Sequence, residues 1–410
     1  MGNSANKTQK KKKTWIKFRH RMVRNLLFAV LAPYSRVKYG IRVERFREQE
    51  KRPYLILLNH QTPFDQFFVG LAFSGPVYYL ATEDIFSNGF VSSLIRYLVA
   101  PIPIKKQTAD VRAIMSCIRV AKEGGTIAIA PEGNRTYSGR TEYMSPSIAP
   151  LARKMGIPIA LFRIEGGYGT QPRWSDVVRK GTMRAGVSRV IMPEEYASLS
   201  DDELFAIIRD GLYVDEAVCD GEYRHARCAE YLERAVYVCP FCGLSTFESH
   251  KDRITCGTCR REIQYLPTKE LVGVGFDFPY RFVAEWYDAQ KDFVNALDVR
   301  EYESEPMYKD CGDCYEVIPC KKKCLLAKNV AISLYGDRVE WQTEAEQTVF
   351  RFEETAAITV LGRNKLNIYY KDKIYQIKGG KRFNALKYVH IYHRCKNIAK
   401  GEQHEQFLGL

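Results

Sequence analysis

No acidic residue occurs before Glu44. The first 43 residues hold twelve Lys or Arg, so they carry +12 of the chain's +14 and leave +2 for the rest. The body therefore lacks the broad basic face that neutralises a phosphate backbone, and nucleic acid is not an expected partner. Long apolar runs are also missing. The longest in the basic segment, Leu26 to Ala32, is seven residues, against the roughly 20 needed to span a bilayer. There is no Gly-x-Gly-x-x-Gly and no Gly-x4-Gly-Lys-Ser/Thr loop, which argues against a dinucleotide or nucleotide-hydrolysing site. No Ser or Cys stands in a nucleophile-elbow or Cys-His context. No small-residue cleavage site precedes Pro33-Tyr34, and Asn6 stands where a myristoylation motif needs Ser or Thr. Without an export signal, the twelve cysteines are not expected to form a disulfide framework.

What is present begins with the basic segment itself. Lys10 to Lys13 precede Trp15, Ile16, Phe18, Met22, Val23, Leu26, Leu27, Val30 and Leu31, apolar residues at steps of three and four. This pattern predicts a basic amphipathic helix within residues 1–39. Through residues 1–30 it would lie on an anionic membrane surface. The expected placement is peripheral, at the cytoplasmic face, with no transmembrane helix. The alternative is that the apolar face packs on the body and the lysines form a solvated tail.

At 410 residues the chain has room for two or three domains. Residues 40–215 alternate short apolar runs with helical stretches, which predicts an α/β domain with a mostly parallel sheet flanked by helices. The run Tyr54 to Leu58, bounded by Pro53 and Asn59, reads as a buried strand. It ends at His60, and Asp65 follows five positions later. Thr62-Pro63 reads as a helix start, with Thr as N-cap and Pro at the first helical position. His60 would then sit at the carboxyl end of a strand, where open α/β sheets bind ligands. A helix start disfavours imidazolium, so His60 suits a general base whose other ring nitrogen Asp65 holds. The plainer alternative is a capping His with an ordinary first-turn acid.

A second run, Thr126 to Ala130, ends in Pro131-Glu132-Gly133-Asn134-Arg135-Thr136. Together, His-x4-Asp and Pro-Glu-Gly-x-Arg resemble the first and third blocks of the glycerophospholipid acyltransferase superfamily, typified by lysophosphatidic acid acyltransferases. Ala100-Pro101-Ile102-Pro103-Ile104-Lys105-Lys106 lies where the second block is expected. Gly156-Ile157-Pro158-Ile159-Ala160-Leu161 resembles the fourth. The resemblance covers roughly residues 40–215. It implies attack of a glycerol hydroxyl on an acyl thioester of coenzyme A or acyl carrier protein, with His60 as base, Asp65 as its partner and no cofactor. It also implies that Arg135 and Lys106 contact the acceptor phosphate, with Glu132 and Gly133 shaping the turn that presents Arg135. The expected acceptor is lysophosphatidic acid and the product phosphatidic acid. The family usually has Arg where this chain has Lys106, which keeps the charge but loses the bidentate fork. Two other readings stay open: another glycerol- or lyso-lipid acceptor, and a catalytically inactive zinc-ribbon adaptor.

Four cysteines form Cys239-x2-Cys242 and Cys256-x2-Cys259, thirteen residues apart. Two such pairs suit a closed tetrahedral structural Zn²⁺ site, with a redox pair as the alternative. A zinc ribbon is expected over 237–266, after a connecting helix over 216–236. Cys311, Cys314, Cys320 and Cys324 form a looser cluster, read either as a second metal site or as strand cysteines. Over 267–410 a helix near Tyr280 to Leu297 precedes short alternating runs separated by turns such as Gly362-Arg363-Asn364, then a helix over Asn384 to Lys396. Meandering strands closed by one helix resemble a pleckstrin-homology-like domain, with a generic small β-rich domain as the plainer alternative. The partner of the ribbon or of this domain is not specified by the sequence.

Overall fold

The computed structural model describes residues 14–48, 53–82, 86, 90–104, 110–218, 220–318, 323–343, 346–401 and 408. Lys106, Cys320 and Lys10 to Lys13 lie outside the described residues.

The first part of the chain runs α1 (Phe18–Tyr39), β1 (Ile41–Val43), β2 (Leu55–Leu58), α2 (Asp65–Ala72), β3 (Val77–Thr82), α3 (Phe90–Val99), β4 (Ile102–Ile104), α4 (Val111–Lys122), β5 (Thr126–Ile129), α5 (Ile148–Met155), β6 (Ile159–Glu165), α6 (Gly167–Thr170), β7 (Met183–Ile191), α7 (Pro193–Ala197) and α8 (Asp201–Leu212). Its seven strands lie in the order β1-β7-β6-β2-β5-β3-β4. Neighbours are parallel except β6 and β7, so the sheet is mixed. β2 is central and buried along its whole length, which is why it reads as an unbroken apolar run. Its two faces alternate. Leu55 and Leu57 pack with Cys117, Ala149 and Leu204 from α4, α5 and α8, while Ile56 and Leu58 pack with Tyr39, Phe68 and Val69 from α1 and α2. Helices thus cover both faces. At α8, Ser200 and Glu203 form a capping box that fixes the start.

The second part begins with β8 (Val238–Cys239), β9 (Gly243–Leu244), β10 (Phe247–His250), β11 (Arg253–Cys256), β12 (Glu262–Tyr265), β13 (Leu271–Gly273) and α9 (Val283–Ala296). β14 (Tyr308–Glu316), β15 (Cys324–Leu334), β16 (Arg338–Gln342), β17 (Gln347–Arg351), β18 (Thr355–Leu361), β19 (Lys365–Tyr370), β20 (Lys373–Gly379) and α10 (Leu386–Ala399) follow. β14 to β20 form one antiparallel sheet in the order β17-β16-β15-β14-β20-β19-β18. Two meanders therefore join edge to edge through β14 and β20.

Residues 216–236 do not form the expected connecting helix; the one helical element in their described part is a 3-10 turn at Leu232–Arg234. The charges there serve tertiary bonds instead of one helix face. Glu216 accepts from the Gly166 amide at 2.6 Å, Arg234 pairs with Asp176 at 2.7 Å, and Glu233 takes Arg382 and Ser249. The same core continues across this segment, joining Tyr168 and Trp174 to Tyr265, Trp286 and the C-terminal sheet. Buried Arg179 crosses it too, donating to the Tyr265 hydroxyl at 3.0 Å.

Candidate active site

β2 delivers His60 to a turn before α2. The helix starts at Asp65, later than the Thr62-Pro63 pattern suggests. The reason is Asp65 itself. Its carboxylate folds back and accepts the Gln61 amide at 2.7 Å, the Thr62 amide at 2.9 Å and the Thr62 hydroxyl at 2.7 Å. Thr62 donates its hydroxyl to Asp65 and accepts the Phe64 amide on the same oxygen at 3.1 Å, so it holds the turn that precedes the helix.

The same carboxylate meets His60 Nδ1 at 2.8 Å. A carboxylate bonded to three donors can only accept, so Nδ1 carries the proton and Nε2 presents its lone pair. Asp65 is buried while His60 is partly exposed. The pair is thus fixed on one side and accessible on the other, as a base acting on an incoming hydroxyl requires.

The β5 turn is laced to this one. Glu132 accepts the His60 amide and the Glu142 amide, each at 2.9 Å. Burial pushes the Glu132 carboxyl up to about 8, against these two amide bonds. The Thr136 amide donates to the His60 carbonyl at 3.3 Å. Gly133 has φ +68°, a left-handed conformation that a side chain disfavours. Glu132 and Gly133 are hence parts of the turn. Below it, Asn59 exchanges two 2.8 Å bonds with the Ile164 backbone and ties β2 to β6. Asn59 adjoins His60 in sequence, yet the sequence assigned it no role.

Arg135 follows on the same turn. Its Nη1 is enclosed and has no hydrogen-bond partner among the described residues. Burial, then the nearby Arg173 and Arg363 guanidiniums, push it down to about 10, while Asp65 works the other way. It remains a cation at neutral pH. The structure thus brings together His60, Asp65, Glu132, Gly133 and Arg135; Lys106 lies outside the described residues.

Residues 40–164 match the family model described as Acyltransferase. This match supports an acyltransferase domain of the glycerophospholipid acyltransferase superfamily over those residues. Over 137 residues the chain is 22% identical to a 1-acyl-sn-glycerol-3-phosphate acyltransferase of Bacillus subtilis (strain 168), covering 33% of this chain and 65% of that protein. The chain therefore spans slightly less than two thirds of that relative. Among solved structures, it is similar to the 1-acyl-sn-glycerophosphate (LPA) acyltransferase PlsC from Thermotoga maritima, with a TM-score of 0.39, 20% identity, and coverage of 48% of this chain and 81% of that one.

Outside the acyltransferase domain, Cys239, Cys242, Cys256 and Cys259 bring their sulfurs within 4.8 Å of one another. Cys239 and Cys259 sulfurs are 3.8 Å apart, and those of Cys242 and Cys256 are 3.6 Å apart. A tetrahedron with metal–sulfur bonds of about 2.3 Å needs sulfur separations of about 3.8 Å, so the four thiols fit a zinc ion. Both knuckles share one backbone device: Gly243 and Arg260, each following the second Cys, have φ +75° and +59°. Ser245 lies 3.1 Å from the Cys256 sulfur and can donate to it. The looser cluster does not converge. Cys311 pairs with Ala331 and Cys324 with Glu316 across β14 and β15. Five residues of strand separate them, roughly 17 Å, and no metal-binding group forms there among the described residues.

Proposed function

We propose that this chain transfers a fatty acyl group from an acyl thioester to the free hydroxyl of a 1-acylglycerol 3-phosphate, giving phosphatidic acid. The observation that carries the reading is His60, held through Nδ1 by buried Asp65 with Nε2 free, beside a cationic Arg135 with an unpartnered nitrogen. The hydroxyl oxygen attacks the thioester carbonyl as its proton passes to Nε2. Asp65 steadies the imidazolium that forms. The tetrahedral intermediate then collapses, the carbon–sulfur bond breaks, and the thiolate leaves with the proton from Nε2. The thioester supplies its own leaving group, so no covalent enzyme intermediate is needed.

Acceptor choice follows from charge. A phosphomonoester carries nearly two negative charges at neutral pH, whereas a choline or ethanolamine diester carries one and brings a cation. Arg135→Ala should raise the acceptor Michaelis constant about ten- to a hundredfold, the loss of one charge-assisted contact of roughly 1.5–3 kcal/mol. The donor constant should barely move. Steady-state kinetics with lysophosphatidic acid and lysophosphatidylcholine separate these. A wild-type preference for the choline lipid contradicts the acceptor assignment.

A membrane surface for this lipid chemistry is supported by α1 and α3. Phe18, Met22, Leu26 and Val30 repeat every four residues along α1 and are exposed. On α3, Phe90, Leu94 and Tyr97 are exposed as well. The helices lie together, with Arg19 donating to the Tyr97 carbonyl at 2.8 Å. Among the described residues no helix is long and apolar enough to cross a membrane, so this face suits lying on one. Trp15 bonds the Ala100 carbonyl at 3.0 Å and packs on the core. Removing residues 1–30 would therefore damage the body. The double variant Phe18→Glu/Leu26→Glu touches exposed positions only. Each side chain withdrawn from lipid costs about 1.5–3 kcal/mol, so flotation with anionic vesicles should weaken at least about tenfold. Flotation equal to wild type would move the contact elsewhere.

The four cysteines are proposed to hold a structural Zn²⁺ in a zinc ribbon. The strand order of β14 to β20, with α10 after it, supports a pleckstrin-homology-like C-terminal domain.

A further inference from the structure

Three arginines from three distant parts of the chain converge where one was expected. Arg135 comes from the turn after β5. Arg173 comes from the loop after α6. It is buried and donates to the Arg135 carbonyl at 2.9 Å. It reaches Asn134 Oδ1 at 3.4 Å, and its guanidinium lies over the Tyr137 ring, 4.4 Å from the centroid. Arg363 comes from the C-terminal sheet, at the tip of the β18–β19 hairpin. That tip is rigidly presented. Gly362 turns it at φ +62°, and Asn364 pins it by donating to the Gly379 carbonyl at 2.8 Å and accepting the Gly379 amide at 3.0 Å. Arg363 then reaches Asp176 at 3.2 Å, three residues beyond Arg173.

The charges do not balance. Asp176 is shared, because buried Arg234 also takes it at 2.7 Å. Asp65 is committed to His60 and the turn. The contacts made by Arg173 are to neutral oxygens and a ring. Bringing like charges together around buried Arg173 is unfavourable unless an anion completes the group. The unpartnered Nη1 of Arg135 marks where a further acceptor is needed, and a dianionic phosphomonoester supplies both charge and acceptor oxygens.

We propose that Arg173 and Arg363 act with Arg135 as a clamp for the acceptor's phosphomonoester, so that the C-terminal sheet contributes directly to the acyltransferase site. The proposal rests on the acyl-transfer reading for its ligand. It gives the C-terminal domain a role in substrate selection. Arg363 is a specificity-determining residue that leaves the proton transfer at His60 untouched.

The test uses the full chain and a short-chain lysophosphatidic acid below its micelle-forming concentration. Calorimetry should show saturable binding by wild type. Arg363→Gln should weaken it about ten- to a hundredfold, with Arg363→Lys recovering much of the loss and the melting temperature unchanged. In turnover, Arg363→Gln should raise the acceptor KM and leave donor KM and kcat near wild type. Asp176→Asn separates the clamp from mere cross-linking. It weakens the ion pairs of Asp176 with both Arg363 and Arg234 and frees Arg363, so in protein that melts as wild type phosphate binding should hold or tighten. Equal weakening by Arg363→Gln and Asp176→Asn, or no change with Arg363→Gln, overturns the clamp. The two readings fail separately. Binding that falls as expected in a chain that transfers no acyl group leaves the clamp and removes the acyl-transfer function. Transfer with an unmoved acceptor KM does the reverse.

Discussion

A His60→Ala chain is expected to fold normally and to lose acyl transfer by roughly a hundred- to ten-thousand-fold, the usual contribution of a general base. Folding should survive because His60 is partly exposed and its loss strands no buried group. Asp65 keeps the Gln61 amide, the Thr62 amide and the Thr62 hydroxyl. The Glu132 contact is to the His60 backbone and also remains. Asp65→Asn is different. It should slow transfer strongly by releasing the ring tautomer, and it should lower the melting temperature too, because an amide nitrogen would face those donors. Single-turnover kinetics with thermal melting distinguish the two. Near-wild-type turnover by His60→Ala, in folded protein, removes the base assignment.

The second large effect concerns the cysteine cluster. Freshly purified protein should contain one zinc per chain, and Cys256→Ser should prevent stable folding. Structural zinc in small modules is worth about 10–16 kcal/mol, comparable to the whole stability of a domain. Here the loss should spread. Cys256 is fully buried, and Ile254, Ile263 and Tyr265 around it belong to the same core as Tyr168 of α6 and Trp174 of the loop after it. Tyr265 stacks edge-on against Trp174 at 5.7 Å. Chelation should therefore lower the melting temperature of the whole chain and abolish transfer, although the proposed acyl-transfer step uses no zinc. Metal analysis finding no zinc in active protein contradicts this.

How far the sequence discloses the structure depends on how local each signal is. β2 and β5 are legible because interior strands carry apolar residues on both faces. The start of α8 is legible because its capping box lies within four residues. The cysteine pairs are legible because ligand spacing within a knuckle is a short-range constraint. β14 is obscured: register shifts between Gly312 and Tyr315 break its alternation. The charged stretch 216–236 misleads because its Glu and Arg side chains are buried in contacts with residues far along the chain. Arg173 and Arg363 carry no local mark at all. The loop after α6 brings Arg173 beside Arg135, and the packing of the C-terminal sheet brings Arg363 there.

The most direct measurement is product formation by the purified full chain, given labelled acyl-coenzyme A and lysophosphatidic acid on anionic vesicles, with His60→Ala in parallel. Labelled phosphatidic acid should accumulate with one free thiol released per acyl group transferred, and the variant should form almost none. Thioester hydrolysis without phosphatidic acid, or equal product from His60→Ala, would contradict it.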